Sequence, residues 1–311
     1  METRASWCPM WSDEQRKLFL SHVEEVVGTR YGEYAVDEGD GTVSVPSLDC
    51  VLGLSNLAQT CRTVDPGEWR TIVYNHIERL DGFSPDALSD KLSDYEQVRD
   101  DLRIRVVTCV HTDKVDAVVD PLPLGLSSCL SVDLGGAACP VDQGYFDGWG
   151  VERDEVMAVA LANSLAADQL RAETAPELPG DFQVYIGESM FASAHLLDLA
   201  RAAPHIGEMG AVVAVPAAHT VMVCPIDLAE PAEKFADSSA TMLAASYIRY
   251  LAGPNSVSPN ALWWRPDHPL EGFARMEQGF ELVAPEPLRS HLRTGLAAEQ
   301  EPPRPDAGLD L

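Results

Sequence analysis

"GAVVAVPAAHTVMVCPI", Gly210–Ile226, is the stretch that decides the fold of this chain. Two apolar runs, Val212–Val215 and Val221–Cys224, flank a short turn that carries one histidine, His219. Runs that are apolar at every position are typical of strands covered on both faces, and the short interval between them predicts a hairpin. The stretch therefore predicts two central strands of a sheet whose two faces are both buried.

Helix and strand patterns alternate on both sides of this hairpin. A capping box of Ser12 and Gln15 predicts the start of a helix, and residues 233–252 show a helical pattern that ends at Gly253. In residues 102–106 apolar side chains alternate with arginines, so one face of that strand is expected in the core and the other in water. Together these segments predict an α/β (α+β) fold, in which helices pack on the faces of a mixed β-sheet.

The chain offers no linker that clearly separates two large domains. We expect a helix and hairpin over residues 1–48 to pack on an α/β core over residues 49–295. The remaining residues, 296–311, are acidic and rich in proline and have little to bury, which predicts a disordered tail.

The charge balance restricts the classes of partner. The 311 residues include 49 acids and 22 bases, a net charge of −27, with 46% hydrophobic residues. Such a surface repels phosphate backbones and anionic lipid, so we expect neither nucleic-acid nor membrane binding. The acids are scattered and not gathered in one block, which indicates a well-solvated surface. A protein partner remains possible, and an acidic decoy or immunity-type protein that binds a basic partner is one alternative.

Cysteine usage and the absence of familiar motifs point to a cytoplasmic protein without a cofactor. The seven cysteines lie far apart and form no CxxC pair, so no zinc ribbon or redox motif is indicated. The first residues include no apolar signal segment, and no apolar run approaches the length of a membrane span. Neither a Walker loop nor a GxGxxG motif occurs. We therefore expect a reducing, cytoplasmic location and no cofactor.

One constellation could carry chemistry. A strand over residues 182–187, a helix over Met190–Ala202 and the strand from Ala211 form a plausible βαβ unit, whose carboxyl ends would share one sheet edge. Ser189 and His219 would then meet at that edge, as a nucleophile and base would. Glu188 and His219 are likewise candidates for binding a ligand there.

Ordinary structural roles compete with this interpretation. Ser189 is placed to cap the helix that follows, and Phe191 stands where a nucleophile elbow needs a glycine. Asp227, the acid nearest in sequence to His219, is expected at the opposite end of its strand. His219 itself would polarise a tight turn. A metal site is suggested only by Cys109 and His111, and two ligands alone do not make one.

Several segments together resemble the YtpQ-type bacterial family of unknown function, in a divergent form. The resemblance lies in the ordered set Leu54–Cys61, Glu68–Leu80, Leu102–Val107, Gly125–Leu134, Gly148–Asn163 and Ala211–Val223. In that family we expect Pro-Asn-Arg-His or similar at the hairpin, whereas this chain has Ala217 and Ala218 before His219. The resemblance implies an α+β or α/β fold and no particular activity.

We expect, from the sequence, a non-catalytic binding or accessory protein, because each polar candidate has an ordinary structural explanation. A hydrolase that uses Ser189 and His219 is the first alternative, and the acidic decoy is the second. The sequence does not decide whether the protein is an enzyme.

Overall fold

The computed structural model describes residues 7–8, 11–48, 50–79, 84–108, 116–135, 137–173, 179–276 and 279–290. The tail predicted over residues 296–311 lies outside this part of the chain. None of the helices in the described residues is both long enough and apolar enough to cross a bilayer.

Helices and strands alternate along the chain, which confirms the predicted α/β class. The α-helices are α1 (Asp13–Tyr31), α2 (Ser55–Arg62), α3 (Trp69–Glu78), α4 (Pro85–Leu92), α5 (Tyr95–Val98), α6 (Gln143–Trp149), α7 (Arg153–Ala167), α8 (Leu199–Ala202) and α9 (Ala232–Ala252). Short 3-10 helices cover Pro46–Leu48, Pro66–Glu68, Arg99–Asp101, Pro123–Gly125 and Ala192–Leu196. A further helical turn covers residues 286–290.

The strands are β1 (Ala35–Asp37), β2 (Thr42–Val45), β3 (Cys50–Gly53), β4 (Leu102–Thr108), β5 (Val119–Leu122), β6 (Leu126–Asp133), β7 (Ala138–Pro140), β8 (Arg171–Glu173), β9 (Gln183–Ile186), β10 (Ala211–Ala217), β11 (Thr220–Pro225), β12 (Ala261–Trp264), β13 (Glu271–Arg275) and β14 (Glu281–Leu282). Within the described residues they form three sheets: β1-β2-β3, the seven-stranded order β14-β13-β12-β10-β11-β9-β8, and β4-β6-β5 with β7 also paired to β6.

The predicted hairpin lies at the centre of the seven-stranded sheet, and every residue of β10 is buried. Its side chains divide between two cores. Val212 and Met222 join a cluster with Phe235 and Leu243 of α9, whereas Val213 and Val223 join a cluster on the other face. Because each face of the hairpin meets its own core, every position of β10 and β11 except Thr220 has an apolar side chain.

The predicted mixed sheet is corrected in one respect. Every pairing between the named strands of the described residues is antiparallel. β9 and β10 do run in the same direction, but β11 lies between them and pairs with both. The parallel contact between β9 and β10 is thereby replaced by two antiparallel pairings, β9 with β11 and β10 with β11. Antiparallel neighbours such as β10 and β11 can be joined by a tight hairpin.

The continuous helix predicted over Met190–Ala202 is also wrong. A 3-10 helix over Ala192–Leu196 and the short α8 replace it, with a non-helical backbone at Asp198 (φ −138°, ψ 63°). The Ser193 amide donates to the carbonyl of Ala218 at 2.8 Å. The segment is therefore anchored to the hairpin turn by a bond that a regular helix would use internally.

The N-terminal segments surround a core of their own. Ser12 and Gln15 form the predicted capping box of α1, and the buried cluster of this unit extends from Trp7 to Ile77. The unit is connected to α9 through Arg62, whose Nη2 donates to the carbonyls of Leu251 and Ala252 at 2.9 and 3.1 Å. The boundary at residue 48 stays a prediction, although the cluster continues well past it.

Shortening a side chain at the centre of the hairpin should destabilise the whole protein. Met222 is fully buried in β11, so we expect Met222→Ala to lower the free energy of unfolding by about 3 kcal/mol through lost burial and a cavity. Ile248→Ala, at a position of α9 that is 66% exposed, should change it by less than about 0.5 kcal/mol. Urea denaturation followed by tryptophan fluorescence measures both. Equal losses in the two variants would contradict the central role of the hairpin.

Candidate functional site

The topology brings the predicted site residues to one edge of the seven-stranded sheet. β9 ends at Ile186 and is followed by Glu188 and Ser189, while His219 lies in the turn between β10 and β11. The Gly187 amide donates to the carbonyl of His219 at 2.9 Å. The sheet edge predicted from the sequence therefore exists, although through antiparallel pairing.

The centre of this edge is occupied by a residue that the sequence analysis missed, Asp168. It follows the last residue of α7 and is only 2% exposed. One carboxylate oxygen accepts the Glu188 amide at 2.9 Å and the other accepts the Ser189 amide at 2.6 Å. A Cβ on Gly187 would lie 2.8 Å from this carboxylate, so glycine permits the close approach. Asp168 thus closes the turn after β9.

Ser189 is engaged in the same turn. Its hydroxyl oxygen accepts the Phe191 amide at 3.0 Å, which caps the turn ahead of the 3-10 helix. Within the described residues no hydrogen bond joins the Ser189 hydroxyl to the His219 imidazole. Asp227, expected at the other end of β11, lies there and pairs with His205 at 2.9 Å. The Ser–His pair therefore stays a prediction, and no hydrogen bond among the described residues forms it.

Two histidines lie near Asp168, and their surroundings differ. His195 is 4% exposed, and its Nε2 lies 2.6 Å from the carbonyl oxygen of Asp168. Because a carbonyl only accepts, Nε2 carries a proton, and Nδ1 is buried without a partner among the described residues. Burial, and then the charge of Arg249, lower the pKa of His219, while Asp168 partly offsets them. His219 is therefore neutral at pH 7.

The charged groups at the rim of this edge are paired with each other. The Arg249 guanidinium of α9 donates a hydrogen bond to the Glu173 carboxylate of β8. Nη2 of Arg171 lies 3.4 Å from Oε1 of Glu188. Glu188, a candidate ligand group, is therefore an exposed member of an ion pair. The edge as a whole combines a hydrogen-bonded carboxylate, the neutral imidazole of His219 and closed ion pairs, which is the composition of a structural junction.

The candidate metal ligands Cys109 and His111 lie outside the described residues. In the part of the chain that the structure describes, no group of three or more His, Cys, Asp or Glu side chains is arranged to hold a metal ion.

A second feature, an apolar pocket of about 510 Å³, was not anticipated from the sequence. One wall is α9, which contributes Phe235 and Leu243, and the floor includes Phe273 of β13. The opposite side is formed by Phe280 and Leu282, which are 63% and 39% exposed. Large apolar side chains with this exposure line an open cleft and not a closed core.

Few polar groups reach this pocket. The Ser239 hydroxyl donates to the carbonyl of Ala236 at 3.0 Å, so its oxygen can still accept. At the rim, Arg289 lies 3.7 Å from Glu286 in an ion pair of one helical turn. The pocket therefore combines apolar walls with a sparse, internally balanced set of polar groups, which is typical of ligand-binding pockets.

Comparison of the chain with protein-family models, with curated proteins and with solved structures yields no match. The resemblance to the YtpQ-type family therefore stays a prediction.

The burial of His219 should make the protein less stable in mild acid. Its pKa in the folded protein lies below the ordinary value of about 6.5, so below pH 6.5 the unfolded chain binds more protons and folding is disfavoured. We expect the free energy of unfolding to fall as the pH drops from 7.5 to 5.5, and His219→Gln to reduce that fall. Denaturation in urea at several pH values measures it.

The matched control is His268→Gln, at an exposed position, which should keep the wild-type slope. His76, whose pKa burial also lowers, accounts for a residual slope in the His219 variant. An unchanged slope in His219→Gln would contradict the assignment.

Proposed function

We propose that this protein is a non-catalytic binding protein, and that it holds a predominantly apolar small molecule in the pocket between α9 and the β13–β14 edge. The observation that carries the proposal is the pocket itself. Its volume of about 510 Å³ falls within the range of about 300–1,000 Å³ that is usual for small-molecule sites.

The walls indicate the chemistry of the ligand. Phe235, Phe273 and Phe280 present aromatic rings, and Phe235 and Phe273 already pack edge to face with centroids 6.3 Å apart. A flat or branched hydrocarbon body would extend this packing and release water from exposed apolar surface. The ion pair of Glu286 and Arg289 requires no compensating charge from the ligand. An uncharged or weakly polar molecule therefore fits best.

Among the described residues, the candidate catalytic pair lies away from the pocket, which supports binding over turnover. The Ser189 hydroxyl, the nucleophile of the alternative hydrolase, is committed to the Phe191 amide. The backbone carbonyl of its partner, His219, accepts the Gly187 amide. Neither residue lines the pocket.

Filling the pocket should abolish ligand binding without disturbing the core. Ala240 lies on the pocket wall and is exposed, so Ala240→Trp places an indole in the cleft. We expect this variant to bind the neutral fluorescent probe Nile red at least about tenfold more weakly than the wild type, because the probe loses its apolar contacts. A fluorescence titration gives the dissociation constants.

Ala244→Trp is the matched control, since Ala244 is exposed on the same helix and does not line the pocket. It should bind the probe like the wild type. Equal affinities in the two tryptophan variants, or no probe binding by the wild type, would refute the proposal. Hydrolysis of p-nitrophenyl acetate that Ser189→Ala abolishes would favour the hydrolase instead.

A further inference from the structure

Two arginines lie side by side on one face of the four-stranded sheet. Arg103 and Arg105 are two residues apart on β4, so their Cα atoms are about 7 Å apart and both side chains leave the same face. Across the ladder they are opposite Ser131 and Cys129 of β6. The face that the sequence predicted to be in water is instead largely covered: both arginines are half-buried, and Cys129 and Ser131 are 2% and 0% exposed.

The other face of β4 is closed by helix packing. Ile104 is 1% exposed, and its amide donates to the Ser164 hydroxyl of α7 at 2.8 Å. That face belongs to the apolar cluster with Leu102 and Val156. The arginines therefore leave β4 on the face opposite α7.

Some N–H groups of these two arginines have no acceptor among the described residues. The Nη1 of Arg103 donates to the carbonyls of Asp100 and Leu102, and its Nη2 lies 3.9 Å from the Asp133 carboxylate. Arg105 has neither a hydrogen bond nor an ion pair among the described residues. The Nε of each arginine is buried and without an acceptor in that part of the chain.

An arginine in this state is unusual in so acidic a protein. Burial lowers the pKa of Arg105, yet a guanidinium stays protonated at neutral pH. A buried N–H without an acceptor costs stability, and 49 acids are available against 22 bases. Among the described residues, no carboxylate compensates the charge of Arg105.

We propose that Arg103 and Arg105 form a binding site for a small oxyanion, a carboxylate or a phosphate, on the outer face of the β4–β6 pair. Planar guanidinium groups match the paired oxygens of such anions. Opposite the arginines on β6, Cys129 and Ser131 are small and buried, and the Ser131 hydroxyl donates to the Cys129 thiol. The site is independent of the apolar pocket, and the net charge of −27 disfavours a polyanion as its ligand.

Anion titrations test the site directly. Inorganic phosphate and acetate are each titrated by calorimetry, and thermal unfolding is recorded in each salt against chloride of equal ionic strength. We expect at least one of the two to bind and to raise the Tm of the wild type, since a ligand of the folded state stabilises it. The arm that responds more strongly identifies the class of oxyanion.

Three variants locate the binding. Arg105→Gln should weaken the stronger anion by about tenfold or more, because a charge-assisted hydrogen bond is lost. Arg201→Gln, which removes an exposed arginine from α8, is the matched control and should bind like the wild type. Asp133→Asn removes the carboxylate that competes for Arg103 and should bind the anion more tightly.

Wild-type affinity in Arg105→Gln would overturn the proposal, as would the absence of binding of either anion to the wild type. Asp133→Asn keeps both arginines, so it remains informative even if Arg105→Gln fails to fold, and unchanged or weaker binding by it would also contradict the site.

Discussion

The structure depends on the burial of both faces of one hairpin. β10 and β11 lie in the middle of a seven-stranded sheet, and successive side chains enter two different cores. A one-residue shift in their register would exchange every side chain between the cores. Both faces are apolar, so polarity alone does not fix the register. The register is fixed instead by the β-bulge between Ala214 and Ala217 and by the hydrogen bonds that anchor the turn.

Those anchoring bonds give the polar groups of the sheet edge a structural role. The hairpin turn offers two carbonyls, from Ala218 and His219, and both accept amides from the segment that follows β9. Asp168 accepts two further amides of that segment. The segment after β9 does not form a regular helix, so many of its backbone groups lack helical hydrogen-bond partners. The polar residues of this edge supply those partners. Ser189 and His219, the candidate catalytic pair, belong to this network of backbone hydrogen bonds.

The sequence predicted what local patterns determine, and missed what distant segments build. The hairpin, the capping box at Ser12 and the end of α9 near Gly253 follow from neighbouring residues and agree with the structure. Asp168 lies 20 and 21 residues before its partners, Glu188 and Ser189. A periodic pattern in the sequence does not reveal a contact between residues this far apart in the chain. The apolar pocket was not predicted for the same reason. Its α9 wall and its β13–β14 wall come from separate stretches of sequence, and each stretch has the pattern of an ordinary core element.

The contact between Arg62 and the last carbonyls of α9 couples two parts of the molecule that have separate cores. The helix is a stiff rod, and about 14 Å of it separates its capped end at Ala252 from Leu243 on the pocket wall. The helix that forms one wall of the cleft is therefore held at its far end by the N-terminal unit, so the position of that wall depends on both cores.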